Sequence, residues 1–196
     1  MEWQPFFEPV VDNPYISDFY ANMSAWSFHS QIFFLSHRLG IHQSIYKYKG
    51  SVIQDRSIYE DAEIFAKNLN KQGHLNDRDY ATYCSFYLTL IEYLPPPDLV
   101  IYLKASVPTL LNRIKLRNRD YERSINPDYL EQLNVLYEDW ISNFTICPVL
   151  TVPADNLDYV AHTKHLDLIS RKVQQKLTGK EIVQFAPDEL IQSLGS

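Results

Sequence analysis

Short apolar runs alternate with longer segments of helical spacing along the chain. Four runs predict strands, at Phe6–Val11, Ser51–Gln54, Leu99–Leu103 and Val149–Val152. Between these runs, apolar residues recur every three or four positions, which is the period of an amphipathic helix. Strands that alternate with helices predict an α/β fold in which right-handed crossovers join the strands of a parallel sheet.

Local signals define the predicted helices. Asn13 and Pro14 begin a long helix that continues to Leu35, and Asn76 or Asp77 caps another that ends before three prolines. The remaining helices are predicted over about 58–69, 108–116, 128–143 and 166–177. The run Leu99–Leu103 has no polar position, which is typical of a strand buried on both faces of a parallel sheet.

Composition limits the class of protein. With 196 residues, 45% of them hydrophobic, the chain can bury a sizeable core, and we predict one domain over residues 1–177 and a weakly packed extension over 178–196. A net charge of -6 argues against a nucleic-acid partner. The absence of a long apolar run and of a signal peptide predicts a cytoplasmic protein without a membrane partner. Cys84 and Cys147 are interpreted as buried thiols, and His162 and His165 as a surface pair.

Charged residues follow the second predicted strand directly. Asp55 and Arg56 come where an open parallel sheet presents its ligand site, at the carboxyl end of a strand. By themselves, the two residues are equally well explained as a helix cap and a surface ion pair. Four arginines lie between Arg113 and Arg123 of this acidic chain, and arginine suits bidentate phosphate binding. Their combination with the strand end favours a phosphate-binding lid over a solvated helix end.

Several motifs then follow one another in a characteristic order. They are Phe7–Val10, Asp12–Tyr15, Phe19–Tyr20 followed by Trp26–Phe28 and Gln31, Gln54–Asp61, and Arg117–Glu122. With this ordered set, the chain resembles the deoxynucleoside kinase family from about Trp3 to the last helix. The resemblance implies a P-loop-kinase-like parallel sheet flanked by helices. It also implies ATP-dependent, Mg²⁺-assisted phosphorylation of a deoxynucleoside 5'-hydroxyl in nucleotide salvage.

The resemblance assigns catalytic roles to several charged residues. Glu8 would accept the proton of the 5'-hydroxyl, because the attacking oxygen needs a carboxylate within hydrogen-bond reach. Asp55 would help to place Mg²⁺, and Arg56 would hold the 5'-oxygen and the incoming phosphoryl group. Positive charge that neutralises the transferring oxygens would come from the lid residues Arg113, Arg117 and Arg119.

Substrate contacts are implied in the same way. Tyr20 and Glu122 would clamp the sugar 3'-hydroxyl, and the donor adenine would lie at the loop formed by Asp155, Asn156 and Leu157. The base pocket would be formed by Ile16, Phe19, Gln31, Arg38, Asp61 and Phe65. This set favours purine deoxynucleosides or deoxycytidine over thymidine, because thymidine-preferring members tend to lack a pair such as Arg38 and Asp61. A homodimer through the long early helices is implied as well.

One family motif does not occur in the sequence. The phosphate loop has the form G-x-x-x-x-G-K-[ST], whereas the first glycine here is Gly40. We therefore expect that a first strand, P-loop and first helix, on the order of 25 residues, lie upstream of this sequence. Three interpretations are open. The sequence is a truncated gene model or fragment whose true start lies upstream, or it is a degenerate paralogue that binds nucleoside without transferring phosphate. The third interpretation covers a kinase completed by another chain and a chain that never folds alone.

Two other functional classes remain as alternatives. A non-enzymatic interaction module could keep the same helices for dimerisation, although it would have no use for Glu8 or Asp55. A thymidylate-kinase-like enzyme would phosphorylate a nucleotide instead. The implied 3'-hydroxyl clamp and the 5'-base at Glu8 fit a nucleoside better.

Overall fold

The computed structural model describes residues 3–7, 13–119, 125–175 and 180–182. These residues belong to two compact units, Met1–Pro95 and Pro96–Ser196. Each unit combines helices with parallel strands, so the predicted α/β class is confirmed. The division into a domain at 1–177 and an extension remains a prediction.

The first unit contains one parallel strand pair and a group of helices. Strand β1 pairs with β2 in a register that aligns Gln4 with Val52 and Phe6 with Gln54. The elements are β1 (Gln4–Phe6), α1 (Ile16–Ala21), α2 (Met23–Lys47), β2 (Val52–Gln54), α3 (Ile58–Glu60), a π-helix (Asp61–Ala66), α4 (Lys67–Lys71) and α5 (Asp77–Ile91). Helix α2 packs against α1, α5 and the π-helix, so it forms the centre of this unit.

The long helix predicted from Pro14 to Leu35 is two helices in the structure. Asn22 leaves the helical region at φ -151° and ψ 85°, and its side chain accepts a hydrogen bond from the Ala25 N–H at 3.2 Å. Asparagine is a favoured N-cap because its short side chain satisfies an unpaired N–H of the first turn. The apolar period continues across Asn22, which is why the pattern alone predicted one helix.

The second unit contains a three-stranded parallel sheet with the order β3-β4-β5. Its elements are β3 (Val100–Lys104), α6 (Val107–Arg117), α7 (Pro127–Asn143), β4 (Val149–Pro153), α8 (Thr163–Gln175) and β5 (Lys180–Ile182). Strand β5 lies within the segment 178–196, for which the sequence predicted only weak packing, and it aligns Lys180 with Val149. The sequence did not predict β5, because the strand has only three residues and contains no apolar run.

Burial in this sheet differs from the prediction. We expected the apolar strand β3 to be buried on both faces, but Leu103 is 40% exposed, whereas Val149, Leu150 and Val152 of β4 are buried. The reason is position, since β4 lies between two strands, whereas β3 has one neighbour among the strands that the structure describes.

Two smaller predictions also need correction. His165 is 4% exposed, so it is not a surface residue, and its Nδ1 lies 3.1 Å from the Asp158 N–H. Cys84 and Cys147 are free thiols that are only partly buried. None of the described helices has both the length and the apolar character needed to cross a membrane.

Candidate functional site

A strained turn follows β2 at the predicted ligand-binding edge. The Asp55 N–H donates to the Phe6 carbonyl at 2.9 Å, which extends the strand pairing by one residue. Arg56 then adopts a left-handed backbone with φ 60°. For residues other than glycine this region is uncommon, and it persists where surrounding contacts hold it. Asp55 and Arg56 both have exposed side chains, so the turn presents one acid and one base at the end of the sheet.

Arg38 connects this turn to the helices behind it. Its side chain projects from α2 and is 1% exposed. Its Nε donates to Asp61 Oδ2 at 3.2 Å and its Nη1 donates to the Asp55 carbonyl at 2.9 Å. Burying two charges costs desolvation energy that their attraction often does not recover. The burial of this pair is therefore weak evidence that it stabilises the fold, and its role in the base pocket stays a prediction.

On the helices of this unit, Gln31 and Tyr83 each have a buried polar atom with no hydrogen-bond partner among the described residues. Gln31 lies two turns before Arg38 on α2 and is 5% exposed, and its Oε1 is unpaired. The Tyr83 hydroxyl on α5 is also buried and unpaired. Burial raises the pKa of Tyr83, and the nearby charge of Asp61 raises it further, so the hydroxyl stays protonated. An unsatisfied buried group costs about 1–3 kcal/mol, which a bound polar ligand would recover.

The π-helix contributes the aromatic wall. Phe65 lies on the same π-helix as Asp61, and the Arg56 guanidinium carbon is 4.6 Å from the centre of the Phe65 ring. This distance is within the range of a cation–π contact. Insertions of π-helix within α-helices occur frequently at functional sites. The π-helix therefore contributes Phe65, which contacts the Arg56 side chain, and Asp61, which pairs with Arg38.

Glu60 lies in α3, the helix that follows the turn at Arg56, and was not among the site residues predicted from the sequence. Its Oε2 accepts hydrogen bonds from the Ser57 N–H at 2.6 Å and from the Ser57 hydroxyl at 2.9 Å. Desolvation raises the pKa of Glu60, against the opposing effects of Arg56, Ser57 and Arg38. The signal for it was present in the sequence, since Ser57 and Glu60 have the spacing of a capping box.

The remaining residues predicted for this unit lie on or before α1. Helix α1 packs on α2, the helix that carries Gln31 and Arg38. Phe19 is buried, Ile16 is partly buried and Tyr20 is exposed, and the rings of Phe19 and Tyr20 are 5.3 Å apart. Glu8 lies outside the described residues, as does Glu122 of the second unit.

In the second unit, Arg113 holds the loop that follows β4. Its Nη2 donates to the carbonyls of Ala154 at 2.6 Å and Leu157 at 2.9 Å, and its guanidinium carbon is 5.6 Å from the centre of the Tyr159 ring. These contacts give Arg113 a structural task in the predicted donor-base loop. Its phosphate-binding role stays a prediction.

The same loop is fixed from its other side by the start of α6. Asp155 Oδ1 accepts from the Ser106 N–H at 2.8 Å and from the Ser106 hydroxyl at 2.9 Å. The pKa of Asp155 is lowered mainly by the hydrogen bond from the Ser106 N–H. The Thr109 hydroxyl and the Ser106 hydroxyl lower this pKa further. Leu157 is buried and Asn156 is exposed, so the loop has a fixed base and an accessible tip.

Helix α6 ends at the arginine-rich segment, as the sequence predicted. Asn118 adopts a left-handed backbone with φ 52°, and its N–H donates to the Ile114 carbonyl at 3.1 Å. Asparagine is among the residues that accept this C-terminal conformation. Arg117 and Arg119, on either side of it, are exposed.

The sequence comparison with known families agrees with the motif order. The model of the family described as deoxynucleoside kinase matches residues 1–178. The chain belongs to the deoxynucleoside kinase family. Its similarity to a deoxyadenosine/deoxycytidine kinase of Bacillus subtilis is 41% identity over 153 residues, which are 77% of this chain and 70% of that protein. The family predicted from the motifs is therefore confirmed.

Solved structures of the family are similar in fold. A deoxyadenosine kinase from M. mycoides with bound dATP superposes with a TM-score of 0.77 at 33% identity, covering 88% of this kinase and 87% of that chain. The same enzyme with bound dCTP gives a TM-score of 0.73 at 31% identity, covering 88% and 86%. These superpositions confirm the P-loop-kinase-like fold.

Proposed function

We propose that this chain binds deoxyadenosine or deoxycytidine and that its site serves ATP-dependent phosphorylation of the 5'-hydroxyl in nucleotide salvage. The observation that carries the proposal is the buried, unpaired Gln31 Oε1 on α2, the helix that also supplies Arg38 of the buried Arg38–Asp61 pair. An acceptor in this position needs a donor from the ligand. Adenine and cytosine offer an exocyclic amino group, whereas thymine offers a carbonyl oxygen.

The placement of Arg56 supports the role that we propose for it. Arg56 lies at the strand end against Phe65, where its guanidinium binds the 5'-oxygen and the incoming phosphoryl group. Arg117 and Arg119 at the end of α6 are exposed, as their proposed role in binding phosphate requires. Phosphoryl transfer depends mainly on such positioning and on charge neutralisation. Glu8 as the base, and Tyr20 with Glu122 as the 3'-hydroxyl clamp, complete the proposed set.

The donor set present fits Mg²⁺ bound together with ATP. Asp55 has an exposed carboxylate at the carboxyl end of β2, and Mg²⁺ is commonly held by one or two carboxylates plus phosphate oxygens and water. The part of the chain that the structure describes contains no cluster of three or more potential protein ligands. The ion would neutralise phosphate charge, and the loop of Asp155, Asn156 and Leu157 would accept the donor base.

A homodimer is part of the same proposal. Helix α2 carries apolar residues on every side, among them Phe28 and Phe34, although only part of its surface packs within its own unit. On α5, Phe86 and Leu88 are exposed. A second copy of the chain would cover these residues.

The experiment that tests this function separates binding from transfer. Calorimetry with deoxyadenosine, deoxycytidine and thymidine should show binding of the first two in preference to thymidine. Incubation with ATP and Mg²⁺ should then yield the 5'-monophosphate, detected by chromatography. Binding without any monophosphate would instead support a nucleoside-binding protein that transfers no phosphate, which is the alternative raised by the absence of a G-x-x-x-x-G-K-[ST] motif from this sequence. Binding of none of the three nucleosides would reject both.

A further inference from the structure

The left-handed residue Arg56 has an anchored peptide group on each side. The preceding peptide carries the Asp55 carbonyl, which accepts from Arg38 Nη1 at 2.9 Å. The following peptide carries the Ser57 N–H, which donates to Glu60 Oε2 at 2.6 Å. The φ and ψ angles of a residue are the rotations between its two flanking peptide planes. Two anchors on these planes therefore hold Arg56 at φ 60°.

We propose that Glu60 is a positioning residue that fixes the backbone of Arg56 through Ser57 and so sets the phosphate end of the nucleoside site. This inference rests on the proposed function, in which Arg56 binds the phosphoryl group. Glu60 itself is not assigned any contact with the substrate.

The two anchors differ in what else they do. Arg38 also pairs with Asp61 in the proposed base pocket at 3.2 Å, so its removal disturbs the base and the turn together. Glu60 accepts both Ser57 groups within the first turn of α3, and it is partly exposed. A change at Glu60 also alters the charge that acts on Arg56 and Arg38. Glu60→Gln, which removes the charge and keeps an acceptor, is therefore needed to separate this charge effect from the backbone anchor.

Release of the Glu60 anchor should affect a phosphate-bearing ligand selectively. In Glu60→Ala, Arg56 relaxes from the left-handed region and its guanidinium moves. Affinity for deoxyadenosine 5'-monophosphate should fall about tenfold, the size expected for a lost side-chain cap or a released left-handed residue. Affinity for deoxyadenosine, which lacks the phosphate, should change by less than about twofold. Titration calorimetry on the full chain measures both.

Three further variants make the result specific. Glu60→Gln keeps an acceptor for the Ser57 N–H and should retain most of the monophosphate affinity. Glu63→Ala removes a carboxylate three residues further along and should leave the ratio of the two affinities unchanged. In an Arg56→Ala background, Glu60→Ala should have no further effect on this ratio, because the side chain being positioned is gone. A general loss of stability would lower both affinities in every background.

A readout without ligand separates this inference from the proposed function. Hydrogen exchange at the Ser57 amide should become faster in Glu60→Ala and remain slow in Glu63→Ala. If the unmodified chain binds neither ligand, the proposed function fails, and unchanged exchange at Ser57 would overturn the anchor as well. If both ligands bind and their affinity ratio is the same in Glu60→Ala, the positioning role is rejected.

Discussion

Arg38 and Asp61 form a buried charged pair at the proposed base pocket. They are 23 positions apart in the sequence, and only the packing of α2 on the π-helix brings Nε of one within 3.2 Å of Oδ2 of the other. Both are buried, so each charge depends on the other. The family resemblance predicted the pair, whereas the spacing of the two residues along the chain gives no indication of it.

Replacement of both partners should change base preference. In Arg38→Met with Asp61→Ala, the acceptor-only Asp61 carboxylate, which would repel the thymine carbonyl oxygen, is absent together with its partner. We expect the ratio of thymidine to deoxyadenosine affinity to rise about tenfold, which is the scale of one good polar contact to a base edge. Calorimetry with the two nucleosides measures the ratio. An unchanged ranking would reject the assignment of this pair to the base pocket.

Glu60 predicts a pH dependence of stability. Its folded-state pKa is raised above the ordinary value of 4.5, mainly by desolvation. The folded state therefore binds the proton more tightly than the unfolded state. Its contribution to stability is fully present below pH 4.5 and is lost as the pH rises through the folded-state pKa.

Urea denaturation of the protein and of Glu60→Gln from pH 4 to pH 8 measures this contribution. The free energy of unfolding of the original protein should fall relative to that of the variant as the pH rises. Other titrating groups cancel in the difference. A difference that is constant with pH would show that the Glu60 pKa is not raised.

The ends of the helices show which secondary structure elements could be predicted from local signals. Periodicity and capping signals predicted α5, α6 and α7 within a few residues, because these signals are local. The break at Asn22 and the π-helix over Asp61–Ala66 were not predicted. Both lie within an apolar period that resembles one continuous helix. The break is capped by the Asn22 side chain, and the π-helix packs against α2.

Removal of the Asn22 cap should destabilise α2. Asn22→Ala deletes the bond from the Ala25 N–H and should cost about 1 kcal/mol in the free energy of unfolding. Gln43→Ala, at an exposed position in the same helix, provides the control and should change stability by less than about 0.5 kcal/mol. Urea denaturation measures both. Equal effects of the two substitutions would contradict the capping role.

At the scale of the whole molecule, apolar surface on the first unit predicts self-association. Light scattering after size-exclusion chromatography should give twice the chain mass of 23.0 kDa. Phe86 is 46% exposed on α5, and Phe86→Asp should shift the population toward monomer because a charge would be buried at the interface. Val135→Asp, at an exposed position on α7 of the second unit, is a control for added charge. A monomer at all concentrations would reject the dimer.

Although α2 ends at Lys47 rather than at the predicted Leu35, the α/β class, the family and most other helix ends could be predicted from the amino-acid sequence. Each depends on short-range information, namely apolar period, caps and motifs in a fixed order. Only the tertiary structure decided which polar atoms are buried, as at Gln31 and His165, and which residue is strained, as at Arg56. It also decided that β4 rather than β3 is the buried strand. The physical reason is that burial and strain arise from contacts between segments distant in sequence, where packing overrides local preference.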